Sequence, residues 1–210
     1  MDAVVVTVTT HEVEADYMEP TDFKENSPVS SCPTLLSSVS GKRFQRFSLM
    51  RRKEWGALPP KLREPMKVPS NMVIIHHTAM DSCLESSSCI EQLRQIQRLH
   101  MDTNGWNDIG YNFLIGQDGT VYEGRGWVIE GAHAKNYNNV ALGIAVMGNF
   151  ENEFPSLASL SSVQKVLQHG VLLDFLHPDF ILKTHRNVSN TKCPGENLYN
   201  IIKNWPNFAP

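Results

Sequence analysis

A chain of 210 residues with 41% apolar and 20% charged side chains is long enough for one domain with a sizeable core and an appendage. Its net charge of −3 argues against a general nucleic-acid binder, which would be clearly basic. No apolar run approaches the roughly 20 residues that a membrane-spanning helix needs.

Residues 1–30 hold seven acids (Asp2, Glu12, Glu14, Asp16, Glu19, Asp22 and Glu25) against Lys24, about −6, which leaves the rest at about +3. A mildly basic body behind an acidic leader is weakly suited to an anionic polymer. Residues 1–45 are rich in Ser, Thr, Pro, Glu and Asp without helical periodicity and read as a largely disordered leader, with the folded domain at 46–210. Val4 to Thr10 is β-prone but short and isolated. The chain opens Met-Asp, has no early Lys or Arg, and breaks its apolar stretch Val4-Val5-Val6 at Thr7, unlike a secretory signal.

Residues 72–78, a β-branched apolar run ending in His76-His77-Thr78, predict a buried strand. Cys83 and Cys89, six apart in a Ser-rich loop, could close a small disulfide ring in an oxidising compartment or remain two thiols in a reducing one. Ser87-Ser88 could cap a helix to about Asp102, ended by Asn104-Gly105. Residues 111–116 and 120–123 predict a hairpin around Gln117-Asp118-Gly119. Residues 142–147 read as another buried strand, 160–176 as a helix stopped by Pro178, 180–184 as a short strand leading into His185. A last helix runs from near Pro194 to about Trp205. The expected class is α/β, a central mixed β-sheet flanked by helices in a single domain.

A catalytic zinc site needs three protein ligands and an open position for water. His76 and His185 each close a predicted strand, and Cys193 follows His185 after seven residues. Spacing alone does not make the two strands neighbours. Taken singly, a His on an apolar strand is more often a hydrogen-bonded core residue, and a lone Cys a small buried hydrophobe.

Several blocks occur in order: Arg52-Lys53-Glu54-Trp55-Gly56-Ala57, Val73-Ile74-Ile75-His76-His77-Thr78, Gly105-Trp106-Asn107-Asp108-Ile109-Gly110-Tyr111-Asn112-Phe113 and Asp118-Gly119-Thr120-Val121-Tyr122-Glu123-Gly124-Arg125-Gly126-Trp127. Gly131-Ala132-His133, Leu142-Gly143-Ile144, His185-Arg186 and Cys193-Pro194-Gly195 follow. Over residues 50–208 this order resembles the peptidoglycan recognition proteins, the animal branch of a superfamily that includes phage-type zinc N-acetylmuramoyl-L-alanine amidases. The resemblance implies a zinc cofactor (Zn2+) held by His76, His185 and Cys193, with His76 rather than His77 because the first His of the pair is the family's ligand; adjacent strand residues face opposite ways, so one cannot stand in for the other. It implies hydrolysis of the lactyl–L-alanine amide of bacterial peptidoglycan in innate immunity.

Tyr111 fills the family's catalytic tyrosine position, and Thr191 matches another position linked to activity. Their plainer roles are a packed strand tyrosine and a turn hydroxyl. Members that only bind muropeptide typically lack the ligand thiolate, so the three intact ligands favour an enzyme over the alternative, a recognition receptor. A structural zinc site is the poorer reading, because three ligands have no evident fourth. The resemblance nominates His77, Trp106, Tyr111, Arg125, Trp127, His133 and Asn138 for the substrate groove. Trp106 and Trp127 suit a core equally well. Arg125, between two glycines, is expected to be accessible and to fork onto the extra carboxylate of diaminopimelate-type stems; otherwise it is a solvated turn charge. The resemblance also implies a Cys83–Cys89 disulfide and a secreted chain, whereas the missing signal suits an intracellular form, so the compartment stays open; a monomer is expected. Asn187-Val188-Ser189 is a glycosylation acceptor in a secreted chain.

Overall fold

The computed structural model describes residues 47–210. The expected leader, the Val4 to Thr10 segment and Cys32 lie outside the described residues. The elements are β1 (Leu49–Met50), α1 (Arg52–Trp55), β2 (Ser70–His77), α2 (Ser86–Arg98), β3 (Phe113–Ile115), β4 (Val121–Glu123), β5 (Ala141–Val146), α3 (Leu157–Leu172), β6 (Leu176–Thr184), α4 (His185–Val188) and α5 (Glu196–Ile202). A π-helical turn, Leu99–Thr103, continues α2.

The six strands form one sheet in the order β1-β4-β3-β5-β2-β6. Only the β3–β4 hairpin is antiparallel; the other neighbours run parallel. This is the mixed sheet that the sequence led us to expect. Parallel strands need both faces covered, and two apolar clusters provide that. Val73 and Ile75 of β2, Leu142, Ile144 and Val146 of β5, and Phe113 pack against Val163, Val166 and Leu167 of α3 and Leu198 and Ile202 of α5. On the other face Leu93 and Ile96 of α2 cover Leu114, Tyr122, Ala145 and Met147, together with Trp55 and Ile109. Each Leu or Ile so enclosed contributes about 1.5–3 kcal/mol.

Alternation along β2 decides the site. Val73 and Ile75 face α3, so His77 shares their side while His76 shares the side of Ile74.

Three helices differ in their bounds from the sequence reading. Helix α2 begins at Ser86 rather than at Ser87-Ser88. Helix α3 starts at Leu157, where the Ser156 hydroxyl accepts from the Ser159 amide at 2.9 Å, and it ends at Leu172, not 176. Asp174 adopts φ 58° and the Phe175 amide returns to the Gly170 carbonyl at 2.9 Å, so the chain has already reversed before Pro178. That proline lies within β6, which is tolerated because β6 is an edge strand. Helix α5 stops at Ile202, short of Trp205. Among the described residues no helix is long and apolar enough to cross a membrane.

Candidate metal centre

Strands β2 and β6 run parallel, with Ile75 opposite Thr184, and so deliver their C-terminal ends to the same edge of the sheet. His76 is the penultimate residue of β2, and His185 opens α4 immediately after β6. Their ring centroids are 4.5 Å apart. The adjacency that spacing could not provide is thus a property of the sheet order.

Cys193 returns to this corner on a braced loop. The Arg186 amide donates to the Cys193 carbonyl at 2.9 Å, and the Cys193 amide to Thr191 Oγ1 at 3.2 Å. The Arg186 guanidinium bonds the Lys192 carbonyl, pairs with Glu196 at 2.7 Å and lies over the Tyr199 ring at 4.6 Å. Cys193 Sγ ends 3.8 Å from His76 Nδ1 and accepts from the His77 amide at 3.4 Å.

One ligand atom each from His76, His185 and Cys193 lies within 4.8 Å of the others. In tetrahedral zinc, nitrogens at about 2.0–2.1 Å and sulfur at about 2.3 Å put ligand atoms roughly 3.4–3.7 Å apart, so the corner fits zinc after a small contraction. The donor chemistry fits as well. Burial holds the His76 imidazole well below its usual pKa, with His133, His185 and His77 adding repulsion, and burial lowers His185 too. Both rings are therefore neutral ligands near pH 7. Burial pushes the Cys193 thiol up to about 12, against the opposing pull of the His77 amide and Arg186. A cation bound here must displace that proton.

His133 stands behind His76. Its Nδ1 is 3.0 Å from His76 Nε2 and its Nε2 is 3.1 Å from the Ala141 carbonyl, so both ring nitrogens are engaged within the protein. Asn138 Oδ1 accepts from the amides of His133 and Ala134, each at 2.8 Å. His133, expected on the substrate wall, is buried and turned toward the protein instead, while Asn138, expected there too, commits its Oδ1 to the backbone.

Tyr111 reaches the corner from the loop before β3, its ring 5.3 Å from His76. Burial, then the nearby Cys193, raises its phenol pKa well above the usual value, so it remains an O–H donor. An aromatic row leads outward: the His100 ring is 5.8 Å from Tyr111 and 4.6 Å from the half-exposed Trp106. In the sequence His100 reads as a structural residue with no assigned partner, because its helical stripe reads as packing. Its Nδ1 accepts from the Gly110 amide at 2.9 Å, and burial, reinforced by Arg125, lowers its pKa to about 4. His77 turns to the other face, with Nδ1 3.4 Å from the Phe150 amide.

Two expectations need correction. Trp127 is 4% exposed and stacks on Phe175 at 5.3 Å and 8°; it belongs to the core. Arg125 is 8% exposed, neither accessible nor a solvated charge. Its Nε, Nη1 and Nη2 donate to the carbonyls of Ile109, Glu130 and Asp108 at 2.7, 2.6 and 3.4 Å. A loop rich in unpaired carbonyls draws the guanidinium inward. Asn187 Oδ1, in the glycosylation acceptor, already accepts from the Thr184 amide and hydroxyl at 2.9 and 2.7 Å. The Cys83–Cys89 disulfide is formed.

Residues 66–196 match the family described as N-acetylmuramoyl-L-alanine amidase. Peptidoglycan recognition protein 3 of Mus musculus is 50% identical over 143 residues, 68% of this chain and 41% of that protein. N-acetylmuramoyl-L-alanine amidase of Sus scrofa is 43% identical over 161 residues, 75% of this chain and 27% of that protein. The chain thus spans less than half the length of either relative. A solved structure of peptidoglycan recognition protein-LE in complex with tracheal cytotoxin, a monomeric diaminopimelic acid-type peptidoglycan, superposes with a TM-score of 0.76. It is 37% identical and covers 77% of this chain and 96% of that one.

Proposed function

This chain belongs to the N-acetylmuramoyl-L-alanine amidase family, among its peptidoglycan recognition proteins, and from that premise we propose that it is a zinc-dependent amidase. Its substrate is bacterial peptidoglycan, and the bond it hydrolyses is the amide between the muramic acid lactyl group and L-alanine. The observation that carries the reading is the convergence of His76, His185 and Cys193 within 4.8 Å at the shared end of β2 and β6.

When bound, zinc supplies the Lewis acidity that polarises a carbonyl and activates water. The protein supplies the rest. His76 and His185 offer neutral imidazole lone pairs, and Cys193 yields its proton to become a thiolate ligand. Tyr111, kept protonated by burial, donates its O–H to the charge that develops on the scissile oxygen, in a partly dry corner where such a bond is worth more than in water. Thr191 holds the Cys193 amide through its oxygen, which leaves its own O–H free to donate toward substrate. Trp106 offers the apolar face along which a sugar-peptide lies, with the buried His100 ring packed beside it. The tracheal cytotoxin complex of the LE relative supports a diaminopimelate-type muropeptide as the preferred ligand.

Recognition without cleavage is the second reading, favoured by that same relative, which is described as a binding complex. The test is release of the stem peptide from purified muropeptides of both stem types, followed by mass spectrometry. We expect cleavage that chelator abolishes and zinc restores. Muropeptide binding with no product in the presence of zinc would leave only the receptor reading.

A further inference from the structure

We propose that His133 is a positioning residue that fixes the proton on His76 and so presents His76 Nδ1 to the metal. This rests on the zinc reading above. The argument is one of proton counting along a short chain. The Ala141 carbonyl can only accept, so the 3.1 Å contact requires a proton on His133 Nε2. An uncharged imidazole carries one N–H, so His133 Nδ1 is an acceptor. The nitrogen facing it at 3.0 Å, His76 Nε2, must then be the donor, because two lone pairs at that distance would repel. His76 Nδ1 is left with its lone pair exposed, and this is the atom 3.8 Å from Cys193 Sγ. A backbone carbonyl thus selects the tautomer of a ligand two residues away along the chain of hydrogen bonds.

The ring that transmits this choice is held in place. A Cβ at Gly131 or at Gly143 would lie 2.3 Å from His133 Cδ2, so the imidazole occupies space that only glycine on both sides leaves open. Asn138 anchors the backbone of the same residue through the two 2.8 Å bonds. The ring planes of His76 and His133 cross at 81° with centroids 5.0 Å apart. Glycines in the Gly131-Ala132-His133 and Leu142-Gly143-Ile144 blocks therefore have one shared task. Outer-shell partners of this kind typically set 10–100-fold in metal affinity.

The test uses the full chain, stripped of zinc and labelled with 15N. Long-range proton–nitrogen spectra of the wild type are expected to show His76 with a protonated Nε2 and a bare Nδ1. His133→Phe keeps a ring but removes the acceptor, and Gly143→Ala keeps every polar atom but displaces the ring. Each is expected to lose the single tautomer and to weaken zinc about 10–100-fold in competition with a chromogenic chelator. Muropeptide binding by the zinc-free variants is expected to be unchanged, since both His133 nitrogens are already used. Wild-type His76 protonated on Nδ1, or His133→Phe holding zinc as tightly as wild type, would overturn the proposal. Thermal melts check folding, and if His133→Phe does not fold, the wild-type spectrum still decides. None of these readouts uses turnover. A protein with the expected tautomer and zinc affinity but no amidase activity would sink the amidase reading and leave this one standing.

Discussion

The metal corner and the rim from Trp106 to Asn138 deploy the same kinds of polar side chain in opposite directions. In the corner, His76 and His185 come from the ends of neighbouring parallel strands. Their direction is inherited from the pleat and from the sheet order, and they point at one another. In the rim, Arg125 and Asn138 sit on loops whose backbone groups lack ladder partners. Arg125 serves three carbonyls and Asn138 two amides, and Trp127 fills the core. The two strand-end imidazoles are left for a ligand, whereas Arg125 and Asn138 are claimed by their own loops; Cys193 reaches the corner from a loop only because Arg186 and Thr191 brace that loop.

The sharpest way to break this comparison is Cys193→Ser. Loss of the thiolate removes a direct ligand, so zinc affinity should fall by more than the 10–100-fold typical of outer-shell changes. Amidase turnover should fall to the chelated background while muropeptide affinity by calorimetry stays largely intact. Undiminished turnover would break the mechanism. Next in size is Trp127→Ala, which should cost about 3–5 kcal/mol of stability in denaturant melts. If it folds as well as wild type yet loses muropeptide, Trp127 faces ligand and the rim has been misread. Arg125→Ala orphans carbonyls served by a charged donor and should cost about 1.5–3 kcal/mol. We expect cleavage of diaminopimelate and lysine stems to fall equally. A diaminopimelate-selective loss would instead mean that the guanidinium exchanges a carbonyl for a substrate carboxylate.

The same distinction explains what could be read in advance. Strands β2 and β5 were legible because a strand buried on both faces is a continuous apolar run, and the hairpin because Asp118-Gly119 supplies its turn, with Gly119 at φ 85°. The four-residue helices α1 and α4 carry no periodicity to read. Pro178 misled because its tolerance depends on β6 lying at the sheet edge, a fact of topology. That β6 lies beside β2 at all is invisible in spacing, so the ligand set came from the resemblance in ordered motifs, as did the pairing of Cys83 with Cys89. The inward turn of Arg125 and His133 had no signal in the chain. It depends on carbonyls of Ile109, Glu130 and Ala141 that only the folded loops bring into reach.

The smallest expected effect separates the two regions by protons. In the corner the imidazoles are already neutral near pH 7, and only Cys193, at about 12 without metal, must lose a proton for zinc to bind. Raising pH lowers the proton concentration against which zinc competes, so affinity should rise by about tenfold per pH unit between roughly pH 6.5 and 8.5, about 1.4 kcal/mol per unit. In the rim, His100 at about 4 stays neutral and Arg125 stays charged across that window. Muropeptide binding by zinc-free protein should therefore be flat where zinc affinity climbs. Chelator competition and calorimetry over one pH series measure both. A flat zinc curve would mean that the thiol is already ionised or is no ligand, and a sloping muropeptide curve would put a titrating corner residue in the binding groove.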